Sequence, residues 1–392
     1  MHLSDPVYLD HNATTPLAPE ALEAMLPYLR GDFGNSSSPH RMGVDAARAI
    51  ESARIDVADL VGCAPDRVVL TGGGTESIAT AIAAGRRLQP GRRRFVHSAV
   101  EHPASSAPIR RYAEEDGLEA RVVGVDANGL LERDEVLAAI DGDTALVSLL
   151  WGNNETGVVQ PRELIVEIAN ACRAAGALLH LDAVQMAGKA VIDAEDLGAD
   201  LLSISGHKFH GPKGTGALFV RDDERFAPLL MGGSHEGLRR AGTVNTAGVV
   251  GLGVAARMAL DHLLDASAMA AMGARRDRLE NALVERVPGT TVNGASAVRT
   301  PNTSNVSFSG VHGNALLTLL SERGVFVSTG SACGSSKRKP SPVLLAMGVD
   351  EELAGGSLRL SIARTTTDAE IERAIDVISS SVEQLRALAP SA

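Results

Sequence analysis

Lys208 sits in the run Ser203-Ile-Ser-Gly-His-Lys-Phe-His-Gly-Pro-Lys-Gly-Thr-Gly216, a glycine-rich turn entered directly from an apolar stretch. A lone loop lysine is ordinarily a solvated charge. Here Leu201-Leu202-Ser203-Ile204 reads as a buried strand, which places the turn at a carboxyl end of a sheet, where open α/β folds bind ligands. Ser205 and His207 flank the lysine with donors suited to an anion, and Gly206, Gly211, Gly214 and Gly216 let a ligand approach the backbone. An amine beside an anion site is equipped for a Schiff base with a phosphorylated aldehyde, of which pyridoxal 5'-phosphate is the commonest.

Other stretches carry compatible chemistry. Thr71-Gly-Gly-Gly-Thr-Glu-Ser77 joins a strand pattern to a helix pattern, so free N–H groups and the helix dipole point at a phosphate-sized anion. It is not G-x-G-x-x-G, and no G-x-x-x-x-G-K-[ST] occurs, which disfavours a dinucleotide or nucleoside triphosphate enzyme. Asp182, just after a buried run, is placed to keep a pyridine nitrogen protonated, and Gln185 to hydrogen-bond a ring hydroxyl. His102, in Glu101-His-Pro103, can stack on a ring and shuttle protons. Arg359 alternates with Leu358, Leu360 and Ile362, and its fork suits a carboxylate. Cys333 is surrounded by small residues in Ser328-Thr-Gly-Ser-Ala-Cys-Gly-Ser-Ser336, as for a nucleophile carried on a loop, with Lys337, Arg338 and Lys339 near enough in sequence to favour its thiolate. Singly, each has a plainer reading: a turn aspartate, a histidine before a helix-starting proline, a solvent-facing strand arginine, an odd free thiol.

These residues must be positioned by a larger frame. Short apolar runs at 67–71, 94–98, 145–150, 177–181, 200–204 and 216–220 alternate with helical patterns, which implies a mainly parallel sheet with helices on both faces. Ala46, Ile50, Ala53, Val57 and Leu60 form one helix face that stops near Gly62 and Pro65. Beyond about residue 256, long helical stretches precede alternating runs at 306–308 and 358–362. The expected division is a large cofactor-binding domain over 13–256 and a smaller α+β domain built from 1–12 and 257–392 that carries the Cys333 loop. Its last helix starts at Thr367-Asp-Ala-Glu370, a capping box, with Ile371, Ile375, Ile378, Val382 and Leu385 on one face.

Composition narrows the class. The 392 residues are 44% hydrophobic, ample for a full core, and the net charge of −11 argues against a general nucleic-acid surface. No apolar run approaches the roughly 20 residues of a membrane span, and Met1-His-Leu-Ser-Asp-Pro6 lacks the charged and apolar regions of a signal peptide, so a cytoplasmic protein is expected. The three cysteines have no paired spacing; Cys172 shares an apolar helix face and Cys63 sits in a turn. His207 and His210 form an H-x-x-H pair without a third ligand, so no metal is expected.

Taken together, the chain resembles the cysteine desulfurases of the class V aminotransferase group, in the nitrogen-fixation and iron-sulfur-assembly branch. The resemblance runs from Tyr8 to Thr367, carried by the segments 8–16 (Tyr-Leu-Asp-His-Asn-Ala-Thr-Thr-Pro), 153–157 (Asn-Asn-Glu-Thr-Gly), 180–185 (His-Leu-Asp-Ala-Val-Gln), 205–208 (Ser-Gly-His-Lys) and 330–333 (Gly-Ser-Ala-Cys). It implies a fold-type I pyridoxal-phosphate enzyme in which Lys208 holds the cofactor, Asp182 pairs with the ring nitrogen, Gln185 and Asn154 contact the ring hydroxyl side, and His102 stacks on the ring. Gly74, Thr75, Ser205 and His207 would bind the phosphate, with Thr243 reaching over from a second subunit of a homodimer. Asn35 and Arg359 would contact the substrate carboxylate. Lys208 would then remove the Cα proton of L-cysteine and Cys333 would take the sulfur as a persulfide, releasing L-alanine, for delivery to an acceptor such as a cluster scaffold or a thiolation enzyme. The alternative on the same fold is a selenocysteine lyase or an aminotransferase. Two departures stand out: Ala241, where that branch usually has serine, and Lys337-Arg-Lys-Pro340, in place of more aliphatic and acidic residues.

Overall fold

The apolar runs assemble into one seven-stranded sheet whose carboxyl edge gathers the candidate residues. The computed structural model describes residues 6–222, 226–330 and 340–388. The chain opens with β1 (Val7–Tyr8), α1 (Pro19–Arg30), α2 (Arg41–Val61), β2 (Val68–Thr71), α3 (Gly74–Leu88), β3 (Arg94–Ser98) and α4 (Pro103–Asp116). It continues through β4 (Glu119–Val123), α5 (Arg133–Ala138), β5 (Thr144–Leu150), α6 (Arg162–Ala175), β6 (Leu178–Asp182), β7 (Leu201–Ser205) and β8 (Gly216–Val220). Then come α7 (Thr246–Leu264), α8 (Ala266–Arg286), β9 (Thr290–Val292), β10 (Thr303–Phe308), α9 (Gly313–Glu322) and β11 (Val325–Phe326). The last elements are α10 (Pro342–Ala346), α11 (Glu351–Gly355), β12 (Ser357–Ser361) and α12 (Asp368–Leu388).

The large sheet has the order β2-β8-β7-β6-β5-β3-β4. Strands β4, β3, β5, β6 and β7 run parallel, while β8 is antiparallel to both its neighbours. Because side chains alternate along a strand, neighbouring residues serve opposite faces. Val147 and Leu149 of β5 and Leu179 and Leu181 of β6 pack in one core with Val57, Ile165, Ile168 and Leu252 from α2, α6 and α7. Leu146 and Leu178 pack on the other side with Ile78, Ile82 and Ile109 from α3 and α4. Helices thus cover both faces, as expected. Gly62 ends α2 in the left-handed conformation at φ 66°, the conformation that most favours glycine.

A second core surrounds the antiparallel sheet β12-β10-β9, with Leu279 and Leu283 of α8, Leu316 and Leu320 of α9, and Ile371, Ile375 and Ile378 of α12. Strand β1 pairs in parallel with β11, and Asp10 bridges to Ser361. The expected capping box is formed: Thr367 N donates to Glu370 Oε2 at 2.7 Å and Glu370 N to Thr367 Oγ1 at 3.2 Å. Strand β4, an edge strand with three exposed positions, was not visible as an apolar run. Helix α7 is long and apolar enough to cross a membrane by length and composition, and 56% of its most apolar 18-residue window lies buried within the fold.

Candidate active site

Four parallel strands end on one edge, and each is followed by a candidate group. Leu150 ends β5 opposite Asp182, which ends β6, and Asp182 in turn pairs with Ser203 of β7, five residues before Lys208. His102 follows β3 and caps α4. The edge therefore brings His102, the 153–155 turn, Asp182 and the 205–208 turn to one place, as expected for a parallel sheet.

The first turn of α3 closes this edge from the side. Gly73 has φ 142°, a backbone region that glycine alone enters readily, and α3 carries no side-chain cap. A Cβ on Gly74 would come within 2.9 Å of Val184 Cγ2 and 3.2 Å of Ser205 Cβ, and one on Gly216 within 2.8 Å of Gly73. The helix N-terminus is thus packed against the residues that follow Asp182 and precede Lys208, and its uncapped N–H groups suit a phosphate. Thr75 lies exposed on the same turn.

Lys208 Nζ donates to the Asn12 and Ala13 carbonyls at 2.6 and 2.9 Å. Asp182 is 2% exposed, and its Oδ1 accepts from Val184 N at 3.0 Å. Burial pushes its pKa up to about 6 against the opposing pull of the Val184 N–H and Lys208. A buried carboxylate of this kind calls for a cationic partner such as a protonated pyridine nitrogen. Gln185, also buried, donates through Nε2 to the Asn12 carbonyl at 3.0 Å. The buried acid, the lysine and the uncapped helix end together fit pyridoxal phosphate.

His102 Nδ1 accepts from Ala104 N at 3.1 Å, which assigns the proton of the neutral ring to Nε2. Burial, followed by the charges of Lys208 and Arg359, lowers its pKa. His207 pairs through Nδ1 with Thr14 Oγ1 at 3.1 Å, and burial with Lys208, Lys213 and Lys189 brings it down to about 4. Ser205 is buried at the end of β7. Arg359 is buried too: Nη2 donates to Asp10 Oδ1 at 2.7 Å, Nη1 to the Asn154 carbonyl at 3.2 Å, and Nε has no partner among the described residues. Asn154 therefore joins this group through its backbone.

Two expected residues lie apart from this cluster in their contacts. Asn35 is exposed between α1 and α2, where its Oδ1 accepts from Ser37 N at 3.0 Å. Thr243 is exposed in a segment tied down by two ion pairs, Arg54 with Glu236 at 2.6 Å and Arg240 with Glu76 at 2.9 Å. Cys333 and the basic trio Lys337, Arg338 and Lys339 lie outside the described residues. Of the other cysteines, Cys172 is in the core and Cys63 is pushed up to about 12, chiefly by burial, so it is held as a thiol.

Sequence reasoning missed several groups. Lys189 is buried and donates to Gln185 Oε1 at 2.6 Å; burial and the charges of Lys208 and Arg359 lower its pKa well below the usual lysine range. A cavity of about 40 Å³ beside Lys208 is lined by Lys189 together with His11, His210, His262 and Arg364. Asp10 and Glu155, the latter pushed up to about 7 mainly by burial, complete the surroundings of Arg359. The available signal was charge inside apolar or small-residue surroundings, as in Ala187-Gly-Lys-Ala190 and Tyr8-Leu-Asp10.

Known proteins resemble this chain along nearly its whole length. The class-V aminotransferase family model matches residues 7–374. The chain is 44% identical over 385 residues to a cysteine desulfurase of Gluconacetobacter diazotrophicus, covering 98% of this chain and 95% of that protein. It is 46% identical over 387 residues to one of Cereibacter sphaeroides, covering 98% and 97%. Among solved structures, a NifS-like protein superposes with a TM-score of 0.88 at 33% identity, over 97% of this chain and all of that one. A structure described as SspA in complex with cysteine gives 0.79 at 33% identity, over 92% of this chain and 100% of the other. With most of its length matched by the family model and nearly all of it by these relatives, the chain belongs to the class-V aminotransferase family and, within it, to the cysteine desulfurases.

Proposed function

We propose that this chain is a pyridoxal-phosphate-dependent cysteine desulfurase that converts L-cysteine to L-alanine and leaves the sulfur as a persulfide on Cys333. The observation that carries the cofactor reading is Asp182, a wholly enclosed carboxylate at the end of β6 on which Lys208 acts as a cation. When bound, the cofactor supplies an electron sink for charge developing at the substrate Cα.

The residues of the chain then divide the work. Lys208 Nζ would hold the cofactor at its aldehyde carbon and would take the proton from the substrate Cα. Asp182 would hold a proton at the ring nitrogen by favouring its charged form. Gln185 and Asn154 would steady the ring hydroxyl side, while Gly74, Thr75, Ser205 and His207 would hold the phosphate. Arg359, with Asn35, receives the substrate carboxylate. His102 would stack on the ring, and its Nε2 would donate or accept a proton at the substrate sulfur. The Cys333 thiolate attacks that sulfur: an S–S bond forms, the C–S bond breaks, and its electron pair stays on carbon, where a proton completes alanine.

The sulfur passes to an acceptor protein such as a cluster scaffold or a thiolation enzyme. On this reading the chain works in the cytoplasm as a homodimer in which the exposed Thr243 serves the neighbouring subunit's phosphate. Mass by light scattering tests the dimer, and a fully active monomer rejects it. The activity is tested by alanine formed from L-cysteine, with and without dithiothreitol, for wild type and Cys333→Ala. The variant is expected to bind cofactor and cysteine yet release no alanine. Undiminished alanine from it would overturn the mechanism.

A further inference from the structure

Glu155 is 7% exposed, follows Asn153 at the end of β5, and has its backbone held on both sides. Its N–H donates to Asn153 Oδ1 at 2.9 Å, and its carbonyl accepts from Asn305 Nδ2 at 3.2 Å. Its side-chain Oε2 accepts from Ser341 Oγ at 2.5 Å, and the same hydroxyl receives Leu344 N at 3.2 Å to cap α10. On the other side stands Gly330. A Cβ built there would overlap Glu155 Oε2 and lie 3.0 Å from both Glu155 Cδ and Ser341 Cβ. Two residues earlier, Ser328 is laddered to Arg359: Arg359 N donates to its carbonyl at 2.7 Å.

One carboxylate thus touches the described residues at both ends of the segment that contains Cys333. We propose that Glu155 is a positioning residue for the sulfur-transfer step, holding Gly330 and Ser341, the described residues on either side of Cys333 in the sequence, at one fixed separation. The inference rests on the desulfurase reading. It explains two sequence features at once: glycine at 330, since any side chain would displace the carboxylate, and a glutamate, rather than a smaller residue, at 155. Keeping a carboxyl there has a cost, because burial pushes it up to about 7 with the charge of Arg359 acting against the shift.

The distinguishing test is a double-mutant cycle on the holoenzyme. Cofactor absorption is followed after mixing with L-cysteine, and persulfide on Cys333 is read by mass in a single turnover. Glu155→Ala and Gly330→Ala are each expected to slow persulfide formation by about tenfold to a hundredfold, since small displacements of a reacting group have effects of that size. The absorption change should slow far less than persulfide formation, because Lys208 and Asp182 are untouched. Removing the carboxylate makes room for a methyl, so Gly330→Ala should add less than about twofold in the Glu155→Ala background. Glu155→Gln, which keeps an acceptor oxygen for Ser341, should restore most of the rate. Multiplicative effects, or an absorption change slowed as much as persulfide formation, would overturn the proposal. Should the alanine variants fold poorly, the same single-turnover assay on Glu155→Asp and Glu155→Gln decides: persulfide formation slowed in the shorter Glu155→Asp and close to wild type in Glu155→Gln supports the bridge, and equal rates in the two reject it. A wild-type chain that forms no persulfide would instead sink the desulfurase reading itself.

Discussion

Arg359 Nη2 donates to Asp10 Oδ1 across 2.7 Å, tying β12 to the segment that follows β1. Its neighbour Nη1 meets the Asn154 carbonyl, and among the described residues the buried Nε has no partner. The fork is therefore held in place by two acceptors on different segments. Arg359→Lys keeps the charge and loses the fork. Its KM for L-cysteine is expected to rise about tenfold or more, the equivalent of about 1.4 kcal/mol, with a smaller change in kcat. Steady-state alanine formation measures both. A fall in kcat at unchanged KM would assign Arg359 to the chemistry instead of to carboxylate binding.

Lys208 is expected to be the residue that borohydride fixes to the cofactor. In the purified wild type, a reduced adduct should map to the peptide containing Lys208, and in Lys208→Ala no adduct should form on that peptide. Loss of the base should lower alanine formation by about a thousandfold. Asp182→Asn should retain the adduct and lose rate, because an amide does not stabilise a proton on the ring nitrogen. A reducible adduct on the same peptide of Lys208→Ala would reject the assignment.

His180 makes a prediction about pH and stability. It is fully buried in β6 between Ser148 Oγ and Ser203 Oγ, each at 2.8 Å, and burial lowers its pKa to about 3. A folded pKa below the unfolded value of about 6.5 means that its stabilising contribution is present above 6.5 and is lost as pH falls toward 3. Glu101, Glu155 and Asp182, raised to about 8, 7 and 6, act in the opposite sense. The difference between wild type and His180→Asn isolates the histidine. Between pH 6.5 and 4 the wild type should lose about 1 kcal/mol per pH unit relative to the variant in urea unfolding. Parallel curves would mean that the ring is already charged in the fold.

Much of the site was legible because its logic is local. The turn after 201–204, the Gly-rich start of α3, the αL stop at Gly62 and the Thr367–Glu370 capping box each depend on a few consecutive residues. Those neighbours act whatever the rest of the chain does. Strand β4 escaped notice because an edge strand with exposed positions lacks the apolar run that marks a central one. The orientation of β8, antiparallel to both neighbours, is equally absent from its five apolar residues.

The sequence by itself determined which groups are able to do chemistry: the lysine in its glycine turn, the carboxylate after a buried run, and the arginine on an alternating strand. Only the tertiary structure decided what surrounds them. Asp10 reaches Arg359 across 349 positions of chain, and Glu155 reaches Ser341 across 186. The burial that lowers the pKa of Lys189 and raises that of Glu155 comes from elements far apart in sequence. Solvent exclusion is a property of the assembled layers, and a shifted pKa records that exclusion rather than the residue's own type.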